Sequence, residues 1–137
     1  MAERDPRDVA RALSDTVLRR LGEPVADWHT LSVEAVEPVT TPPPGLSYPD
    51  VLLIRIGSET SEVGVHYTLG VPDARAIAAT TEQIQDHAIE ATHGTPLPPC
   101  PGHAHPLMVR VIDDVAVWTC PKDPALHREP VFSESAR

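Results

Sequence analysis

The chain has 137 residues, enough for one domain with a buried core, and its formal net charge is −9. Nucleic acids and anionic membranes are bound mainly through Lys and Arg, so this charge argues against both and favours a soluble protein or one that meets a basic protein. The sequence has no apolar run that could span a bilayer, and the charged N-terminus is unlike a secretory signal. We therefore expect a cytoplasmic protein with reduced cysteines.

The first half of the chain predicts one helix and three strands. The helix is expected over residues 6–21, because Asp5 and Pro6 are start signals, apolar residues recur at helical spacing, and Gly22 is a stop signal. Residues 25–37 look extended, and their core-facing side chains are predicted to be His29, Leu31, Val33, Ala35 and Glu37. The proline-rich stretch 38–49 cannot be regular and is either a surface loop or a boundary. Strands at 51–56 and 63–69 form a predicted hairpin.

The second half predicts a helix, an irregular loop and a second hairpin. The helix is expected over 73–92, with Gly94 after its end. Prolines dominate residues 96–106. The hairpin is predicted from 107–112 and 115–118, with Asp113 and Asp114 as its turn. The tail from residue 124 is polar, and we expect it to fray after Phe132.

The resulting order, α-β-β-β-α-β-β, predicts an α+β fold in which two helices cover one face of an antiparallel sheet. We treat 1–137 as a single domain with three parts. They are an αβββα core at 1–95, a Cys/His loop and hairpin at 96–123, and a polar tail at 124–137.

Both cysteines flank the C-terminal hairpin. Antiparallel pairing around a two-residue turn places Cys120 opposite Leu107, and therefore close to the loop that carries Cys100. That loop also holds His103 and His105. Sulfur and imidazole donors together suit zinc. The sequence thus predicts a zinc site with four ligands: Cys100, His103, His105 and Cys120.

Other ligand sets and other states remain open at this point. Asp123 can replace His105 if Cys-Pro-Gly-His and Cys-Pro-Lys-Asp act as paired knuckles, and His93 or His127 can complete a looser site. Without a metal, the cysteines are small buried residues with solvated histidines around them. A disulfide is a further alternative, since the hairpin brings the two sulfurs near each other.

Two resemblances concern this region. Residues 100–123 resemble a zinc ribbon, in which two Cys-x-x-Cys knuckles flank a hairpin and Pro often follows Cys; here His103 and Asp123 stand at the knuckle ends. The resemblance implies bound zinc. The block His-x-His-Pro-Leu followed by Ala-Val-Trp-x-Cys-Pro also resembles small bacterial proteins of GC-rich genomes that have no assigned function, so it implies no activity.

Three hypotheses follow for the function. The first is a non-enzymatic protein with a zinc-stapled hairpin, which binds another protein through a sheet surface or through the acidic stripe Glu82, Asp86 and Glu90. The second is a zinc enzyme with an open ligand position and Asp123 or Asp113 as the base. The third is a metal-free interaction domain. No sequence feature indicates the oligomeric state.

Overall fold

The computed structural model describes residues 5–36, 43–45, 50–123, 125 and 127–132. Their element order is α-β-β-β-α-β-β-β, with one 3-10 turn at Glu23–Val25. The helices are α1 (Pro6–Leu21) and α2 (Asp73–Ala91). The strands are β1 (His29–Ala35), β2 (Val51–Gly57), β3 (Glu62–Thr68), β4 (Met108–Ile112), β5 (Val115–Thr119) and β6 (Arg128–Pro130). This confirms the α+β class and the predicted order up to β5. The expectations for 38–49, apart from 43–45, and for the chain after Phe132 lie outside the described residues.

Both helices begin and end close to the predicted positions. The Asp5 side chain accepts a hydrogen bond of 2.9 Å from the Arg7 N–H, which caps α1. At the other end, Gly22 has a φ of +87°, a conformation that an L side chain rarely adopts. The apolar stripe of α1 packs on β1, β2 and α2, whereas α2 contacts β3, β4 and β5. The second helix therefore joins the first sheet to the Cys/His region.

Strands β1, β2 and β3 form one antiparallel sheet with β2 in the centre. The predicted hairpin of β2 and β3 is confirmed by a continuous register from Val51 paired with Thr68 to Gly57 paired with Glu62. Leu52, Ile54 and Ile56 are buried on the face that the helices cover. The alternation of apolar side chains along β2 and β3 thus places one face of this sheet in the core.

The predicted core face of β1 is wrong at its start. A β-bulge interrupts the register between Thr30 and Ser32, and an extra residue in one strand shifts the alternation of side chains. As a result, Thr30 pairs with the buried Ile56, while Leu31 is 45% exposed and His29 is also exposed. Beyond the bulge, Val33 pairs with buried Ile54 and packs against the core, as predicted. Ala35 is exposed at the strand end, and Glu37 lies outside the described residues.

The C-terminal strands form a second antiparallel sheet, in the order β4-β5-β6, instead of extending the first. The sequence pattern does not predict strand β6, because the tail is polar. It pairs with β5, and Glu129 lies opposite Trp118. Val131, the residue that follows β6, is buried. The Val131 N–H donates a hydrogen bond to the Ala116 carbonyl at 2.9 Å. Part of the tail therefore covers the strand that leads to Cys120.

An ion pair ties β6 to the first helix. The Arg20 guanidinium donates two hydrogen bonds, of 2.9 and 2.8 Å, to the two carboxylate oxygens of Glu129. The Nε2 atom of His127 lies 2.7 Å from one of those oxygens. Hydrogen bonding from Arg20 lowers the pKa of Glu129 below its ordinary value. This bidentate contact holds the C-terminal strand against α1.

We expect the Glu129→Gln change to destabilise the protein only where Glu129 is ionised. Because the pKa of the Glu129 carboxyl is depressed in the folded state, its stabilising effect is complete at neutral pH. The stabilisation is lost as the pH falls below the pKa of glutamate in the unfolded chain, about 4.3, and then through the lower pKa of Glu129 in the folded protein. The two side chains remain 34% and 33% exposed, so the loss at neutral pH should not exceed about 1 kcal/mol after solvent screening. Urea unfolding of the unchanged protein and of the Glu129→Gln variant, between neutral pH and about pH 3, measures the difference in their free energies of unfolding. The matched change of exposed Glu90 to Gln should show no such pH-dependent difference.

The outer edge of β3 is covered by α2. Gln83 accepts a hydrogen bond from the His66 N–H at 2.8 Å and donates one to the His66 carbonyl at 2.9 Å. The Thr80 hydroxyl also donates to that carbonyl. These contacts satisfy edge groups that would otherwise be open to pairing with another strand. Neither α1 nor α2 combines the length and apolarity that crossing a bilayer requires.

Candidate metal centre

The loop before β4 closes on itself and presents Cys100. Leu107 donates its N–H to the Pro98 carbonyl at 2.8 Å, and Cys100 donates its N–H to the His105 carbonyl at 3.1 Å. Inside this loop the His103 N–H donates to the Cys100 carbonyl at 3.1 Å. Gly102 has a φ of +77°, as the third position of a type II turn requires, and Pro101 precedes it. The Cys-Pro-Gly-His sequence therefore bends so that its first and last side chains lie on the same side.

The β4–β5 hairpin brings the second cysteine to this loop. Asp113 and Asp114 have φ values of +52° and +63°, the conformation of a two-residue type I′ turn. The resulting register pairs Met108 with Thr119. Continuing it by one pair places Cys120 beside Leu107, as the sequence predicted. Both of these side chains are buried, and both lie next to the closed loop.

The four predicted ligands lie together. One donor atom from each of Cys100, His103, His105 and Cys120 falls within 4.8 Å of every other. His103 Nδ1 is 3.3 Å from the Cys100 sulfur and 3.7 Å from the Cys120 sulfur. The His103 and His105 rings stack, with centroids 4.8 Å apart. These residues form a group that can hold a metal ion.

His105 has the local geometry of a metal ligand. Its Nδ1 lies 3.2 Å from the Pro106 carbonyl, so Nδ1 carries the hydrogen and donates it. Its Nε2 is buried and has no hydrogen-bond partner in the described part of the chain. A buried nitrogen lone pair without a partner is costly, and a metal ion would satisfy it. A hydrogen bond from the other ring nitrogen commonly orients a metal-bound histidine in this way.

The cluster is buried on its sulfur side and open on the side of His103. Cys100 and Cys120 are 2% and 0% exposed, His105 is half-buried, and His103 is exposed. The two sulfurs therefore form the buried side of any site for an ion in this group. The residues that flank His103 in the loop, Gly102 and Ala104, are exposed as well.

Main-chain groups prepare one of the two sulfurs for the thiolate form. Burial acts to raise the pKa of the Cys120 thiol, but hydrogen bonds from the main-chain N–H groups of Asp123 and Lys122 and from the Cys100 thiol together lower that pKa below its ordinary value. The Cys100 thiol has a raised pKa because it is buried and lies beside Cys120. Since thiolate is the form that binds metal, the Cys-Pro-Lys-Asp turn favours Cys120 as a ligand.

Gln85 of α2 anchors the loop at both of its ends. Its side-chain amide is buried and donates hydrogen bonds to the Leu97 carbonyl at 3.0 Å and to the Leu107 carbonyl at 2.7 Å. Sequence reasoning missed this residue, because a glutamine within a helix carries no signal of its partners. A polar residue on the apolar face of a predicted helix, between Ile84 and Ala88, was the available clue.

The other residues considered as ligands or as a base lie outside the four-residue group. Asp123 lies outside the four-residue group, and its carboxylate accepts a hydrogen bond from the Ala125 N–H at 3.1 Å. His127 contacts Glu129, and His93 is an exposed residue with a φ of +57° after α2. Asp113 is an exposed residue in the hairpin turn. Both cysteines are free thiols.

Comparison of the chain with protein-family models, with curated proteins and with solved structures finds no match. The geometry of this centre is therefore the main guide to function.

Proposed function

We propose that this protein binds zinc at Cys100, His103, His105 and Cys120, and that the ion is a structural staple in a non-enzymatic protein. The observation that carries the proposal is the convergence of two sulfurs and two imidazole nitrogens within 4.8 Å. Two thiolates and two imidazoles make up one of the common ligand sets of structural zinc. A reducing compartment such as the cytoplasm would keep both thiols available.

The observed spacing supports zinc. With Zn–S bonds of about 2.3 Å and Zn–N bonds of about 2.0–2.1 Å, a tetrahedral site separates sulfur from nitrogen by about 3.5 Å. The distances from His103 Nδ1 to the two sulfurs, 3.3 and 3.7 Å, lie on either side of this value. For these three atoms, the spacing requires little movement of the chain on binding.

The placement of the ligands supports a structural role. Three of them come from the short loop before β4, and the fourth follows β5, so the ion would join the loop to the far end of the hairpin. This segment is rich in proline and short of aromatic residues, and a metal compensates for apolar surface that such a segment cannot bury. Four protein ligands leave no position for a substrate.

Metal analysis of the purified protein tests the zinc proposal directly. We expect about one zinc per chain by inductively coupled plasma mass spectrometry, and two thiols that react only after chelation. A protein purified without metal, which does not take up zinc and whose thiols react freely, would contradict the proposal. A disulfide between the two cysteines would contradict it as well.

The exposure of His103 favours one alternative, a zinc enzyme in which this ligand gives way to water. We expect cobalt-substituted protein to show the absorption of a tetrahedral thiolate site and no spectral change with azide, because the coordination is closed. In the His103→Ala variant water can enter from the exposed side, so azide should now change the spectrum. An azide response in the unchanged protein would favour the enzyme instead, with Asp123 near the site as the candidate base.

We further propose that a basic protein partner docks on the exposed side of α2. Glu82, Asp86 and Glu90 are all exposed there, one turn apart, in a chain with a net charge of −9. Purification from the native cells, followed by chemical cross-linking, tests this. A partner should be lost from the Glu82→Gln, Asp86→Asn, Glu90→Gln triple variant and kept by a charge-matched control. That control carries Glu23→Gln, Asp27→Asn and Glu59→Gln. Equal recovery with both variants would exclude this surface.

A further inference from the structure

A pocket of about 520 Å³ lies between α1 and the start of β1 and is formed by none of the metal-centre residues. Its apolar lining includes the buried side chains of Leu18 and Val25 and the half-buried Trp28. Arg11, Arg19 and His29 line it as well and are exposed. Its volume is within the range of sites for small ligands, and its lining mixes apolar side chains with charged ones.

The charges of this pocket contrast with those of the whole chain. Two arginines line it in a protein whose net charge is −9. Its one carboxylate, Asp15, accepts a hydrogen bond of 2.6 Å from the Thr30 hydroxyl. Among the described residues, Arg20 and Arg55 form ion pairs with glutamates, whereas Arg11 and Arg19 have no carboxylate within ion-pair distance. Their positive charge is therefore available to a ligand.

The two arginines flank the pocket along the helix. They are eight residues apart, which corresponds to about 12 Å along the axis of α1. Arg11 Nη1 donates to the Thr30 carbonyl at 3.4 Å, so this guanidinium reaches across from the helix to β1. A guanidinium also presents several donors in one plane, which suits a carboxylate. Trp28 also lines the pocket, and an indole can provide a surface for a flat apolar group.

We propose that this pocket binds a small organic anion with a planar apolar body, of the class of aromatic carboxylic acids. The acidic group contacts an arginine guanidinium at the edge of the pocket, and the planar body packs against Trp28 and the apolar lining. This site is independent of the zinc proposal, because the two share no residue.

Nuclear magnetic resonance of the full-length protein tests the proposal with three probes of similar shape. They are 2-naphthoate, which is anionic, 2-naphthalenemethanol, which is neutral, and 2-naphthylmethylammonium, which is cationic. The chain has two tryptophans, and a Trp28→Phe variant assigns their indole N–H signals. We expect 2-naphthoate to shift the Trp28 signal and leave that of the buried Trp118 unchanged. Its affinity should exceed that of the neutral probe about tenfold, and that of the cationic probe by more.

Charge-matched variants distinguish binding of the anion in this pocket from non-specific attraction of anions to arginines elsewhere on the protein. In Arg11→Gln/Arg19→Gln protein the affinity for 2-naphthoate should fall to that of the neutral probe. In Arg75→Gln/Arg110→Gln protein, which loses the same charge at two other exposed arginines, it should not change. An Arg11→Lys/Arg19→Lys variant, which keeps the charge, should retain part of the preference for the anion even if the glutamine variant is unstable. Equal binding of all three probes, no shift of the Trp28 signal, or equal effects of the two glutamine variants would overturn the proposal.

Discussion

Replacing Cys120 by Ser is expected to abolish the proposed zinc binding and to unfold the β4–β5 hairpin in the same step. A serine hydroxyl is a poor zinc ligand, so the ion would no longer join the loop that carries the other three donors to the end of β5. Zinc contributes about 10–16 kcal/mol of binding free energy in small zinc-dependent folds. Losing even a third of that would be large against a total stability of about 5–15 kcal/mol.

Trp118 reports on the hairpin in this experiment. It is fully buried in β5, two residues before Cys120, so unfolding of this segment would expose its indole. A Trp28→Phe background makes Trp118 the only tryptophan of the chain. In that background we expect the Cys120→Ser and Cys100→Ser variants to show a red-shifted emission, together with a zinc content near zero.

The control for the cysteine variants is His93→Gln. His93 is exposed and lies outside the four-residue group, so this variant should keep its zinc and its Trp118 emission. Two results would contradict the staple. One is a cysteine variant with full zinc content and unchanged stability. The other is loss of zinc with no change in the emission of Trp118, which would make the ion peripheral to the fold.

The Gln85→Leu variant is expected to have the second large effect. Leucine keeps the bulk of glutamine but donates no hydrogen bond, so the carbonyls of Leu97 and Leu107 lose their side-chain donor. A buried polar group without a partner costs about 1–3 kcal/mol, so we expect the free energy of unfolding to fall by roughly 2–4 kcal/mol. Because these two carbonyls flank the loop that carries three of the ligands, zinc affinity should also fall by about tenfold or more.

Gln83→Leu provides a matched control on the same helix. Gln83 likewise bonds main-chain groups, the N–H and carbonyl of His66, but these contacts are exposed to solvent. Water can replace these hydrogen bonds, so the free energy of unfolding should fall by less than about 1 kcal/mol, and zinc affinity should not change. Chemical denaturation and competition with a zinc chelator measure the two quantities. If the two variants behaved alike, Gln85 would have no special role in positioning the loop.

The sequence determined the local elements well. Both helices start at the predicted residue; Asp5 and Pro6 are start signals that act within one turn of α1, and Pro72 directly precedes the first residue of α2. The Asp113-Asp114 turn also depends only on residues close together in the sequence, and a two-residue turn sets the hairpin register. The sequence by itself therefore predicted that Cys100, His103, His105 and Cys120 are neighbours, since only one hairpin separates the two cysteines.

Tertiary structure decided the features that depend on distant parts of the chain. The bulge at Leu31 depends on how β1 meets β2, and the strand Arg128–Pro130 forms only because β5 is there to pair with it and Arg20 to bind Glu129. The same holds for Gln85, whose carbonyl partners lie 12 and 22 residues away. Side-chain burial, hydrogen-bond partners and the division into two sheets arise from packing between elements, and no pattern within one element specifies them.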